Sequence, residues 1–179
     1  RLIFADGITV DGNGAVLVGK DQAGVGIQIE GQRGVVVRNC KLRDYYHGIV
    51  ARDARELTIE NNVITGTAEI PANTIFLDIW RNEKDAYGGA IMLDKVTHSV
   101  ICDNDVQHQM NGLLTYHCRA LKVLRNNANY NSGYGFHLYD TSDSAFEENY
   151  ADYCCRYEPR DPDKPRVGAG GIGHMGADA

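Results

Sequence analysis

The sequence predicts an all-β solenoid, a parallel β-helix of about six rungs of 22–23 residues interrupted by two insertions. Two observations carry this. A Gly-apolar-x-apolar word returns as Gly26-Ile27-Gln28-Ile29, Gly48-Ile49-Val50-Ala51, Gly89-Ala90-Ile91-Met92, Gly112-Leu113-Leu114-Thr115 and Gly135-Phe136-His137-Leu138. Its glycines are spaced by 22, 41, 23 and 23 residues. A second word, apolar residues followed by Asn, recurs near Asn13, Cys40, Asn62, Asn104, Asn126 or Asn127, and Asn149. A fixed period of this length means that each repeat is one rung stacked on the last.

Each word alternates with the strand period of two. Ile27 and Ile29, Ile49 and Ala51, Ala90 and Met92, Leu113 and Thr115, and Phe136 and Leu138 are expected to face inward. Val35-Val36-Val37 with Leu42, Leu57-Thr58-Ile59 with Ile64, and Phe146 with Ala151 supply two further short strands per rung. The recurring Asn follows from the turns, whose buried peptide groups need partners. An inward Asn offers both a donor and an acceptor, so stacked copies satisfy the turn and one another. Cys40 replaces Asn in one rung, and inward Leu121 and Val123 favour Asn126 over Asn127 in another. Arg38 with Glu60, and Arg125 with Glu147, read as charge pairs on a solvated face.

A chain of 179 residues is long enough for one domain with one continuous core, here 1–179. A net charge of −6 argues against a nucleic-acid partner. It would also repel an anionic sugar polymer, so a site for one needs a local cluster of cations. No run of 18 apolar residues exists, so no membrane-spanning segment is expected. The chain opens at Leu2-Ile3-Phe4 without a signal peptide and closes in a glycine-rich stretch. It reads as a fragment of a longer solenoid lacking caps. Five cysteines without Cys-x-x-Cys spacing mark neither a zinc site nor a disulfide framework.

Ile8-Thr9-Val10-Asp11-Gly12-Asn13-Gly14, with the repeated Gly-Ile and Glu-Asn-Asn words, resembles the right-handed parallel β-helix repeat family. That family includes pectate-lyase-like enzymes, mannuronan epimerases and a periplasmic protein that matures a copper enzyme. The resemblance implies a carbohydrate-active protein, a polysaccharide lyase or uronate epimerase, located outside the cell or in the periplasm. A non-catalytic polysaccharide-binding or structural β-helix is the alternative. Tyr134-Gly135-Phe136-His137-Leu138-Tyr139-Asp140 is similar to the Tyr-Gly-Phe-Asp-Pro-His-Asp motif of the epimerases. His137 stands here for the motif's first catalytic Asp, and Tyr139 for its His.

Two intervals exceed one rung, at approximately 66–87 and 154–178, and both leave the coil after the Asn word. Insertions on one side often build a binding face. Between them, counting from each glycine, Leu93, Tyr116 and Tyr139 fall in one outward row. Asp94, His117 and Asp140 fall in the next. Stacked about 4.8 Å apart, unit charges in such a row interact by roughly 3.5 kcal/mol at an effective dielectric of about 20. The expected catalytic group is His117 or His137 as base, Tyr139 or Tyr116 as proton donor, and Asp140 orienting an imidazole. Asp94, Arg119, Arg156, Trp80 and Arg81 are expected to bind a polysaccharide or oligosaccharide, with Arg160, Lys164 and Arg166 as further cations. No cofactor is expected. A divalent cation such as calcium is admissible at the Asp-His-Asp row, though no ligand spacing marks one.

Overall fold

The computed structural model describes residues 1–69, 82–158 and 166–175, the stretches 155–158 and 166–175 as backbone only. The chain winds as an all-β solenoid of about six turns. The main sheet runs Leu2–Ile3, Val25–Glu30, His47–Arg52, Gly89–Asp94, Asn111–Tyr116, Tyr134–Tyr139 and Arg166–Met175, all parallel, with Cys155–Glu158 added antiparallel at one edge. A second sheet stacks Thr9–Asp11, Val36–Arg38, Thr58–Glu60, Val100–Cys102, Lys122–Leu124 and Ala145–Glu147. A third joins Val16–Val18, Lys41–Arg43 and Val63–Thr65. Parallel neighbours need long connections, and here each connection is the rest of the rung.

Inside the coil lies one apolar column. Ile27, Ile49, Ile91, Leu113 and Phe136 stack from the main sheet, facing Val37, Ile59, Ile101 and Val123 from the second. The glycine of the first word points into this core at a bend in the strand. A Cβ on Gly112 would lie 2.5 Å from the carbonyl oxygen of Gly135 and 3.0 Å from the Cβ of Ala128.

One rung departs from the expected register. Gly89 pairs with His47 and Asn111, so the glycine position in this rung is filled by Ala90. Ile91 and Leu93 therefore face the core, while Met92 joins Val50 and Leu114 on the outer face. The sequence presents adjacent glycines at 88 and 89 and an alanine at 90, so the glycine word falls one residue ahead of the true register in this rung. The final rung also differs. Gly170 pairs with Tyr134 and Ile172 with Phe136, so part of the expected second insertion returns to the main sheet.

The asparagine ladder runs through the middle of the coil. Asn62 Nδ2 donates to Asn104 Oδ1 at 3.0 Å, Asn104 to Asn126 at 2.9 Å, and Asn126 to Asn149 at 3.0 Å. Each also donates to a main-chain carbonyl of the preceding rung, and each Oδ1 accepts the adjacent rung's main-chain N–H. Cys40 ends the ladder, its N–H bonded to Asn62 Oδ1. A second ladder was not foreseen. Thr67 Oγ1 donates to Gln109 Oε1 at 2.6 Å, and the Gln109 N–H to Asn131 Oδ1 at 2.7 Å. On the surface Arg38 meets Glu60 at 4.0 Å but lies closer to Asp11, at 2.8 Å. Arg125 pairs with Asp103 rather than with Glu147.

Asn104→Ala leaves the buried N–H of Asn62 and the carbonyl of Ile59 without their side-chain partner. Unsatisfied buried groups cost about 1–3 kcal/mol each, so this variant should lose about 2–6 kcal/mol in urea unfolding. A loss under about 0.5 kcal/mol, the range of a neutral surface change, would show that the ladder is not what satisfies the turns.

Candidate functional site

Five of the main-sheet strands, Val25–Glu30, His47–Arg52, Gly89–Asp94, Asn111–Tyr116 and Tyr134–Tyr139, end in the same left-handed turn. Gly31, Asp53, Lys95, His117 and Asp140 occupy it with φ of 80, 49, 53, 52 and 47°. The N–H groups of residues 31, 53, 95 and 117 each donate to the carbonyl that ends the next rung's strand, so these positions form one continuous row. Just before it runs a row on the outer face of the sheet, Glu30, Arg52, Asp94, Tyr116 and Tyr139.

Asp94 thus lies beside Tyr116, not beside His117. The expected Asp94–His117–Asp140 row is corrected to Asp53–Lys95–His117–Asp140, for the register reason given above. His117 is still flanked by two carboxylates. Its Nδ1 lies 2.6 Å from Asp140 Oδ2, and its Nε2 lies 3.9 Å from Glu83 Oε2. With Asp140 ionised, Nδ1 carries the proton and donates it to the carboxylate, which leaves Nε2 as a lone-pair base. The Tyr139 ring stands edge-on to the imidazole, centroids 5.5 Å apart.

Glu83 comes from the first insertion, and local chemistry sets its position. Asn82 Oδ1 accepts the N–H of Lys84 at 2.9 Å and of Asp85 at 3.1 Å, an Asx turn. The Tyr46 hydroxyl then donates to the Ala86 carbonyl at 3.1 Å. Ala86 packs with Val50, Met92, Leu114 and Tyr116 on the outer face of the sheet.

Beneath this layer the ionisable groups are dry. Tyr116 is 2% exposed, and burial first, then the carboxylates of Glu83 and Asp94, push its hydroxyl pKa upward. Asp94 is 5% exposed with Oδ1 unpartnered. Burial raises its pKa, Lys95 opposes, and Glu83 adds to the rise. His137 is 2% exposed, and neither ring nitrogen has a hydrogen-bond partner. It sits against Tyr134 and Tyr116, centroids 5.1 and 5.4 Å away, and burial lowers its pKa to about 4. His47 has an unpartnered Nδ1, and its pKa is lowered to about 4 by the same cause.

The family model described as "Right handed beta helix region" matches residues 5–158. The chain belongs to the right-handed β-helix family. No curated protein and no solved structure matches it.

On this β-helix the sequence-predicted residues divide into three groups. His117, Asp140 and Tyr139 come together at the end of the main sheet, with His117 and Asp140 reaching solvent. Tyr116, His137 and Asp94 lie beside them but buried. Arg119 is elsewhere, in a row with Arg33, Arg55, Thr97 and Ser142, and is paired with Asp143 at 2.6 Å. Trp80, Arg81, Arg160 and Lys164 lie outside the described residues. Arg156 and Arg166 belong to the β-helix edge strands as backbone. Among the described residues no group of three or more His, Cys, Asp or Glu is arranged to hold a metal ion.

Two residues of the cluster were missed, Lys95 and Glu83. Correct alignment of Ala90 with Gly48 would have put Lys95 in the His117 row. Nothing periodic marks Glu83, because it belongs to an insertion. A surface row was missed as well. His108, Tyr130 and Tyr153 stack with centroids 5.2 Å apart and planes 5° from parallel, and Tyr153 is 73% exposed. Among the thiols, Cys118 and Cys102 are buried, with pKa pushed by burial to about 12 and about 11, the state of inert packing residues.

The buried histidines make the fold acid-sensitive. Their folded pKa lies below the ordinary value near 6.5. The unfolded chain therefore binds protons first, and stability falls as pH drops from about 6.5 to about 4. At 1.36 kcal/mol per pKa unit, His137 alone removes roughly 3 kcal/mol over that window. Leu114 fills the equivalent position one rung earlier, so His137→Leu should fold at neutral pH and lose that part of the acid sensitivity. Parallel urea-midpoint profiles for the two proteins between pH 4 and 7 would contradict the assignment.

Proposed function

We propose that this β-helix protein acts on polysaccharide chains as a lyase- or epimerase-type enzyme, moving a proton at the sugar carbon beside a carboxylate. The observation that carries the reading is the 2.6 Å contact between His117 Nδ1 and Asp140 Oδ2 on neighbouring rungs. It fixes the tautomer and ring plane of a solvent-reaching imidazole, as a general base requires.

In this reading His117 Nε2 removes the proton, and the electron pair delocalises into the adjacent sugar carboxylate. Asp140 and Glu83 stabilise the imidazolium that forms. For a lyase the glycosidic C–O bond then breaks, and the departing oxygen takes a proton from Tyr139 or from Asp94, whose pKa burial has raised. For an epimerase the same donors return a proton to the opposite face of the carbon. Tyr116 and His137 form the dry wall behind the reacting groups, where neutral forms are favoured. Such an enzyme would work outside the cytoplasm, where its polymers lie.

The exposed Tyr130–Tyr153 stack favours a second reading, a non-catalytic glycan-binding protein. Aromatic faces suit the apolar faces of sugar rings, and Tyr153, 73% exposed, stacks on Tyr130.

Uronic-acid polymers incubated with the full-length protein should yield unsaturated products absorbing in the ultraviolet, or altered proton spectra. His117→Ala should lower kcat by about 10²–10⁴-fold, the usual worth of a general base. Asp140→Asn should lower it less, with an unchanged unfolding midpoint. Activity retained in His117→Ala would remove the catalytic assignment. Binding without turnover, lost in a Tyr130→Ala, Tyr153→Ala double variant, would establish the second reading instead.

A further inference from the structure

Beside the His117–Asp140 pair the left-handed row continues through Lys95 and Asp53. There it borders an open pocket of about 350 Å³ lined by Gly31, Asp53, Ala54, Arg55, Lys95 and Thr97. We propose that this pocket is a carboxylate-binding subsite. It would hold the acid group of a uronate ring one residue along the glycan from the ring on which His117 acts. The proposal rests on the reading of the preceding subsection and adds the residues that select an anionic substrate.

Three observations converge on it. First, beside the carboxylate of Asp53 the pocket carries two cations, Arg55 and Lys95, that have no ion-pair partner among the described residues. Of the arginines in the row Arg33, Arg55, Thr97, Arg119, Ser142, Arg33 is held by Glu56 at 2.8 Å and Arg119 by Asp143 at 2.6 Å. Arg55 has no carboxylate within ion-pair distance among the described residues, and neither has Lys95. Second, the chemistry matches a uronate rather than a bare anion. A guanidinium and an ammonium suit the carboxylate, while Asp53, on the same rim, accepts from the ring hydroxyls. Third, the location is correct. Lys95 and His117 occupy equivalent positions on adjacent rungs, about 4.8 Å apart along the coil axis, so a saccharide lying along the row meets both.

The local charge also resolves a conflict. A protein of net charge −6 repels a polyuronate at long range. Arg55 and Lys95 give the required opposite charge at short range, where screening is weakest.

The test is calorimetric titration of the full chain with a hexuronate tetrasaccharide and with its carboxyl-reduced, neutral counterpart. The wild type should bind the acidic form about 10-fold or more tightly than the neutral one. The Arg55→Ala, Lys95→Ala double variant should lose that preference, while affinity for the neutral form and the unfolding midpoint stay the same. An Arg33→Ala, Arg119→Ala variant removes the same charge from the same face and should keep the preference. Equal loss in both double variants would reduce the effect to general attraction and overturn the subsite. So would equal binding of the two sugars by the wild type, or no binding of either. The catalytic reading fails separately. Should His117→Ala turn over substrate as well as wild type does, while Arg55→Ala, Lys95→Ala alone loses acid selectivity, the subsite stands and the base assignment falls.

Discussion

The structure depends on one constraint: turn peptides buried inside a coil must find hydrogen-bond partners in the next rung, because water cannot reach them. The Asn62–Asn104–Asn126–Asn149 ladder answers it by giving each side-chain amide a main-chain carbonyl, a main-chain N–H and a neighbouring amide. Thr67, Gln109 and Asn131 answer it at another corner with different residue types. Because every partner lies one rung away, the ladders also lock the rungs in register. A slip of one residue would strand an amide in the core and turn each strand's inner residues outward.

Locked register is what turns sequence spacing into chemistry. Residues 22 or 23 positions apart become neighbours, so single substitutions along a row build a site without changing the fold. The left-handed row shows this. The same backbone turn is occupied by Gly31, Asp53, Lys95, His117 and Asp140, and only the side chains change from a cation to an imidazole to its carboxylate partner. The turn itself signals nothing about function. Glu56, His98, Ala120 and Asp143 adopt similar φ values at another corner, where Arg33–Glu56 and Arg119–Asp143 are solvated ion pairs. Such exposed pairs contribute little to stability. What distinguishes the His117 corner is an insertion residue, Glu83, brought over it, and beside it Arg55 and Lys95, which have no ion-pair partner among the described residues.

The solenoid was legible in the sequence because the same physical demands recur in every rung: a glycine where the strand bends into the core, alternating apolar residues, an amide at the turn. The choice of Asn126 over Asn127 followed correctly from the inward Leu121 and Val123. Legibility ended where repetition ended. Ala90 fills a position that glycine usually takes, and one misplaced residue moved Asp94 into the wrong row while hiding Lys95. Gly170–Ile172 returned to the main sheet after an interval too long to reveal it. Burial was invisible too. Tyr116 and His137 occupy outward positions by alternation, yet both are 2% exposed, because the outer face of these rungs is itself packed.

That second, outer core explains how the imidazoles differ. His137 lies within the strand Tyr134–Tyr139 and His117 in the turn that ends the neighbouring strand, yet burial favours the neutral form of the first, while two carboxylates flank the second. An imidazole with no partner and no water loses its ability to hold a proton, since nothing offsets the desolvation of the cation. It keeps its bulk, and beside Tyr116 and Tyr134 it acts as part of an aromatic wall. His117 stands at the edge of that wall, close enough for Asp140 to orient it and exposed enough for its ring to reach solvent. The same low-dielectric layer, on the row that carries Tyr116, raises the Asp94 pKa. Burial thus raises the pKa of Asp94 and lowers that of His137, opposite directions from one cause. The first cause of both is packing, with Val50, Met92, Leu114 and Ala86 excluding water on one side of a row that solvent reaches on the other.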